Sequence, residues 1–172
     1  MKNYQILAVA LLALTSCSVR PGDQSAVQKS DTAEAVNDTA SAAKTLTATM
    51  RVKETIAKGD SVILTFTVKN NATDSLRFCK WHTPFEPLMS KYLSIKDESG
   101  TEAAYKGPMA KRIMPPPASS YITLKPNDSV TVNVDVLKAY AIDKPEAYTV
   151  TYEGKEISGL EVKQNATFKY TK

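Results

Sequence analysis

Apolar and polar residues alternate along much of this chain with a period of two. Val62, Leu64, Phe66 and Val68 are interleaved with Ile63, Thr65, Thr67 and Lys69. Val130, Val132, Val134 and Val136 are interleaved in the same way with Thr131, Asn133 and Asp135. A period of two is that of a strand that buries one face, and the valine run is the pattern of a half-buried antiparallel strand. Shorter runs predict further strands at Leu46–Glu54, Leu76–Trp81, Tyr92–Lys96, Tyr121–Leu124, Ala147–Glu153 and Glu161–Tyr170. Turn-forming residues separate them: Lys58-Gly59-Asp60, Asn70 to Asp74, Glu98-Ser99-Gly100 and Lys125-Pro126-Asn127-Asp128. In the last of these Pro126 presets φ, and Asn127 tolerates the left-handed conformation that can follow. No stretch carries a helical period beyond a turn near Leu137–Tyr140.

About seven to eight short strands punctuated in this way predict an all-β domain, an immunoglobulin-like antiparallel β-sandwich, over residues 45–172. Ahead of it the pattern changes twice. Met1-Lys2-Asn3 is positively charged, and Tyr4 to Leu14 is an apolar run. At roughly 20 residues per membrane-spanning helix the run is too short to cross a bilayer, but it suits the apolar region of a signal peptide. Residues 18–44 are dominated by Ser, Ala, Thr, Asp and Gln without an aromatic residue. Such a segment buries too little apolar surface to offset its chain entropy and is expected to be a flexible tether.

The run Leu14-Thr15-Ser16-Cys17 resembles the bacterial lipobox. That resemblance implies a signal peptide over residues 1–16, diacylglycerol transfer to the Cys17 sulfur, cleavage before Cys17 and acylation of the new amino terminus. The alternative is an ordinary cleaved signal peptide with an incidental Cys. Several acyl chains at roughly 0.8 kcal/mol per buried CH2 make a durable membrane anchor. Ser18 follows the Cys, where an Asp would indicate inner-membrane retention, so the expectation is a lipoprotein of the outer membrane, facing the periplasm or the surface. In the tether, Asp31-Thr32-Ala33 and Asp38-Thr39-Ala40 resemble the acceptor motif of periplasmic protein O-glycosylation, which makes Thr32 and Thr39 candidate sites.

Composition narrows the function. The chain has 172 residues, enough for one folded domain after the tether. Lys and Arg number 22 against 18 Asp and Glu, but the basic residues cluster no further than pairs such as Lys111-Arg112. A nucleic-acid interface would need a basic stripe, so no nucleic-acid partner is expected. One His and two Cys do not make an ordinary zinc site, and no nucleophile motif accompanies His82. The expectation is therefore no metal, no cofactor and no enzymatic activity. Cys79 has no partner within the domain and is expected to be a buried thiol rather than a reactive one.

Candidate binding residues lie where the strand rhythm stops. Trp81-His82-Thr83-Pro84-Phe85-Glu86-Pro87-Leu88 and Ala104 to Pro117 are rich in proline, aromatic and basic residues. Pro115–Pro117 imposes extended polyproline geometry and removes three backbone donors, so this segment belongs to an edge or a crossing loop. Trp81 reads as core or as a ligand platform, His82 as a hydrogen-bonded turn residue, and Lys111-Arg112 as a solvated pair, a basic recognition site or a protease-sensitive bond.

The order Lys80-Trp81-His82-Thr83-Pro84, then Tyr105-Lys106-Gly107 to Lys111-Arg112, then Tyr121 to Tyr152, resembles the N-terminal β-domain of deuterolysin-like peptidyl-Lys metalloendopeptidases. The chain has no His-Glu-x-x-His, so the resemblance implies fold and contact with a secreted protease, not catalysis. Trp81, His82, Thr83, Pro84, Lys111 and Arg112 are the candidate contacts. The competing expectation is a module that binds carbohydrate or another envelope component through exposed tyrosines and Trp81. Oligomeric state is left open by the sequence.

Overall fold

A computed structural model of the chain describes residues 45–172. The signal peptide, Cys17, the tether and the acceptor motifs at Thr32 and Thr39 lie outside the described residues. Nine strands form: β1 (Leu46–Arg51), β2 (Thr55–Ala57), β3 (Ile63–Asn70), β4 (Leu76–Cys79), β5 (Leu93–Asp97), β6 (Tyr121–Leu124), β7 (Ser129–Asp135), β8 (Ala147–Tyr152) and β9 (Ala166–Thr171). One helical turn, α1 (Lys155–Ser158), lies between the last two. The strands make sheets in the orders β1-β3-β7, β2-β9-β8-β5 and β4-β6.

The alternation reads directly onto the burial. Leu64, Phe66 and Val68 of β3 have no exposed surface, while Thr65, Thr67 and Lys69 turn to the other face. On that outer face Thr65 donates to Asn133 Oδ1 at 2.8 Å, and the Thr67 and Thr131 hydroxyls lie 2.9 Å apart, which ties β3 to β7. From the second sheet, Tyr148, Val150 and Tyr152 of β8 and Phe168 of β9 point inward. Phe66 meets Tyr152 across the sandwich with ring centroids 5.4 Å apart. Each such side chain removed from water contributes about 1.5–3 kcal/mol, so this double layer carries most of the folding energy.

Two elements depart from the sequence expectation. The sandwich is not wholly antiparallel, because β2 pairs with β9 in parallel. No turn residue reverses the chain between Arg51 and Thr55, so β2 continues in the direction of β1 and crosses to the other sheet. The parallel bridge Ala48–Val162 and the pairing Thr55–Lys169 keep the same sequence offset, so one parallel seam runs past both. The second departure is α1, which caps at Gly159 in the left-handed conformation (φ 76°).

Register also fixes which end of the sandwich is which. Leu46 pairs with Asn70, and Lys69 with Ser129, at the end where the chain enters the domain. There the buried Asn70 side chain donates to the carbonyls of Asp74, Leu124 and Lys125 and accepts from Ala72 N–H. Ile63 pairs with Asp135 at the opposite end. β4 rises from Leu76, paired with Leu124 beside Asn70, to Cys79, paired with Tyr121. The segments that follow β4 and precede β6 therefore gather at the end away from the chain's entry.

Candidate functional site

The two irregular segments singled out in the sequence meet at this far end. The first is a tight turn. Thr83, fully buried, donates from Oγ1 to the Lys80 carbonyl at 2.6 Å and accepts from Phe85 N–H at 3.2 Å. His82 lies in the left-handed region at φ 56°, and its carbonyl accepts from the Tyr152 hydroxyl at 2.9 Å. The Ser158 hydroxyl lies 2.8 Å from the same phenol oxygen. Burial holds the Tyr152 phenol above its ordinary pKa, so it remains a protonated donor. Gly154 packs so closely here that a Cβ would strike the His82 carbonyl oxygen and the Tyr152 ring.

The second segment, residues 104–117, is pinned at intervals to the first and to Ala139 and Tyr140. The Tyr105 hydroxyl sits between the carbonyls of Leu88 (2.7 Å) and Pro108 (2.8 Å), and its ring packs edge-on against Tyr140. Lys106 N–H donates to Ala139 at 2.7 Å, and Ala110 N–H to Met89 at 2.9 Å. Gly107 fits because a Cβ would lie 2.5 Å from the Tyr105 hydroxyl. The Arg112 guanidinium lies 4.8 Å from the centre of the Trp81 ring and pairs with Glu86, both charged side chains being largely buried. The prolines end in extended geometry, with Pro117 at φ −66° and ψ 160°.

Between these pins the loop turns apolar side chains outward. Met109 is 68% exposed, Ile113 86% and Met114 60%, with Met89 beside them at 39%. Lys111 is exposed as well. Neither it nor Lys106 has a carboxylate within ion-pair distance among the described residues.

The predicted contact residues thus come together, but in different roles. Trp81 is buried, and the guanidinium lies over one face of its ring, so it is not an open platform. Thr83 and Pro84 are buried turn residues, and His82 is half-buried. His82 is held below its ordinary pKa of 6.5, first by burial and then by the Arg112 charge, with Glu86 opposing. Lys111 and Arg112 are not a solvated pair: one faces water and the other is folded inward, because a guanidinium can lie over an indole and pair with a carboxylate at once. Tyr92, Tyr140, Tyr148, Tyr152 and Tyr170 are core residues, and Tyr121 lies under Arg77 at 4.7 Å. Cys79 is a buried free thiol.

Sequence reasoning missed Glu86, Gly154 and the exposed methionines. Only Met109, Ile113 and Met114 carried a signal, as large apolar residues among prolines where no strand period could bury them. Among the described residues, no group of three His, Cys, Asp or Glu side chains is placed to hold a metal ion. Comparison with curated proteins finds no match. A family model described as an immunoglobulin-like domain matches residues 49–165, more than half of the chain, and the chain belongs to that family.

Proposed function

We propose that this is a non-catalytic envelope lipoprotein, anchored at Cys17 in the outer membrane, whose immunoglobulin-like domain binds another protein through the loop at residues 105–117. The observation that carries this reading is the exposure of Met109, Ile113 and Met114 on a backbone pinned at both sides. Soluble domains seldom leave several large apolar side chains exposed together unless the patch is used, and pinning lowers the ordering cost of binding. A secreted peptidase is the partner proposed, on the likeness of residues 61–152 to the β-domain of peptidyl-Lys metalloendopeptidases. The paired motifs of that likeness form one clasp, Trp81 against Arg112, so the likeness argues for the same loop platform. Stacking on sugars is less favoured among the described residues, because Trp81 and most of their tyrosines are covered.

Two experiments test the reading. The mature chain, purified and mixed with a panel of secreted peptidases, is expected to form a complex on gel filtration and to slow substrate cleavage. No complex and no inhibition across the panel would sink the peptidase assignment. Cys17→Ala is expected to abolish palmitate labelling and shift the protein out of the detergent phase. A labelled, membrane-bound variant would refute the anchor.

A further inference from the structure

The loop carries information about what it touches. From Ala103 to Asn127 the chain has Lys106, Lys111, Arg112 and Lys125 and no Asp or Glu. Arg112 is neutralised by Glu86. Lys106 and Lys111 are not: they stand on either side of Met109, and Ile113 and Met114 follow directly. The projecting surface is therefore an apolar tip of three large side chains, flanked along the chain by two lysines that have no ion-pair partner among the described residues. Methionine is unbranched and polarisable, and suits a surface that must fit an irregular apolar partner. Uncompensated lysines at the rim favour carboxylates and disfavour cationic surfaces, which sets orientation and partner choice.

Met109, Ile113 and Met114 project at the end of the sandwich opposite Leu46. Their backbone is fixed by the Tyr105 hydroxyl, by Ala110 N–H on the Met89 carbonyl and by the Arg112–Glu86 pair. A loop fixed in this way is preorganised for a partner with a shape of its own, a protein surface, whereas a fluid bilayer requires no such preorganisation. We infer that the tip of Met109, Ile113 and Met114, flanked by Lys106 and Lys111, docks on a protein surface that combines an apolar pocket with acidic residues around it. This rests on the reading of the domain as a protein-binding module and names the chemistry of its partner.

The test uses the mature chain carrying Cys17→Ala, immobilised and panned against a random peptide library displayed on phage. Enriched sequences are expected to combine large apolar residues with Asp or Glu. Their binding should fall about tenfold or more on the chain with Met109→Ser, Ile113→Ser and Met114→Ser, through lost apolar burial. On the chain with Lys106→Glu and Lys111→Glu, panning should enrich Lys and Arg instead. All five side chains project into water, so melting temperatures should not move; should the serine variant melt early, the charge-reversed chain alone decides. No enrichment, enrichment without acidic residues, or binding that both variants retain would overturn the inference. So would tip-dependent cosedimentation with vesicles of phosphatidylethanolamine and phosphatidylglycerol in the absence of peptide binding, which would make lipid the occupant. The two proposals fail separately: acidic-apolar ligands without any peptidase complex leave this inference standing, whereas a peptidase complex indifferent to the tip variants removes it alone.

Discussion

Arg112→Met removes the part on which the loop's placement depends most. The guanidinium spans Trp81, 4.8 Å from the ring centre, and Glu86, and its buried Nε has no hydrogen-bond partner among the described residues. Methionine keeps the length of the side chain and deletes the charge. The lost cation–π contact is worth about 1–2 kcal/mol in a partly desolvated setting. The Glu86 carboxylate, 14% exposed, is left unpaired. Stripping one partner from a fully buried ion pair costs roughly 3–5 kcal/mol, and residual hydration here brings that to about 1–2 kcal/mol. The sum is about 2–4 kcal/mol, or a fall of about 10 °C in melting temperature for a domain of this size. Adding Glu86→Gln removes the stranded charge and should restore about 1 kcal/mol, the coupling expected of residues in contact. Trp81 is the only tryptophan, so its fluorescence reports on the same contact, and its emission should shift to the red as the ring gains water. A loss below about 0.5 kcal/mol with unmoved emission would refute the argument, since that is how a solvated surface arginine behaves.

Three further outcomes follow from the same region. His82 favours its neutral form in the folded state, so the unfolded chain binds the proton first; stability should fall as pH drops below 6.5 towards the lowered folded value, and His82→Asn, which tolerates the left-handed backbone, should flatten that part of a melting-temperature profile. Gly154→Ala should cost about 2–3 kcal/mol by urea unfolding, because the new methyl group meets the His82 carbonyl and the Tyr152 ring; φ at −82° is ordinary, so the cost is steric, and a neutral result would refute that packing. Cys79, 2% exposed, should react with a thiol reagent only after unfolding, and rapid labelling of the native protein would contradict its burial.

How much of this was legible in the sequence depended on range. β6 runs over Tyr121–Leu124 as the alternation and turn residues predict, and Asn127 takes the left-handed φ of 62° that Pro126-Asn127 foretells. These features are local: a period of two and a turn residue act within a few positions. β2 escaped because three residues with one buried side chain hold no period to read. Its partner, β9, lies more than a hundred positions away. The site divides along the same line. Trp81, Thr83 and Arg112 stood out by residue type, but Arg112 turns inward only because Glu86 and Trp81 receive it, a contact no spacing announces. Lys111 and Arg112, adjacent and alike in charge, end in opposite environments for that reason alone.

The placement of the loop opposite Leu46 has a mechanical consequence. If the chain is held at its entry and a partner pulls on residues 105–117, the load runs along the strands. Antiparallel hydrogen bonds lie perpendicular to the strands, so the ladder from Leu46–Asn70 to Arg51–Thr65 is sheared, and its bonds must yield together. A load applied across the strands would open the same ladder one bond at a time. Resistance to such pulling is governed by the unfolding rate and not by equilibrium stability. Were the domain tethered at one end and engaged at the other, the topology would give it its greatest mechanical strength in the direction of that load.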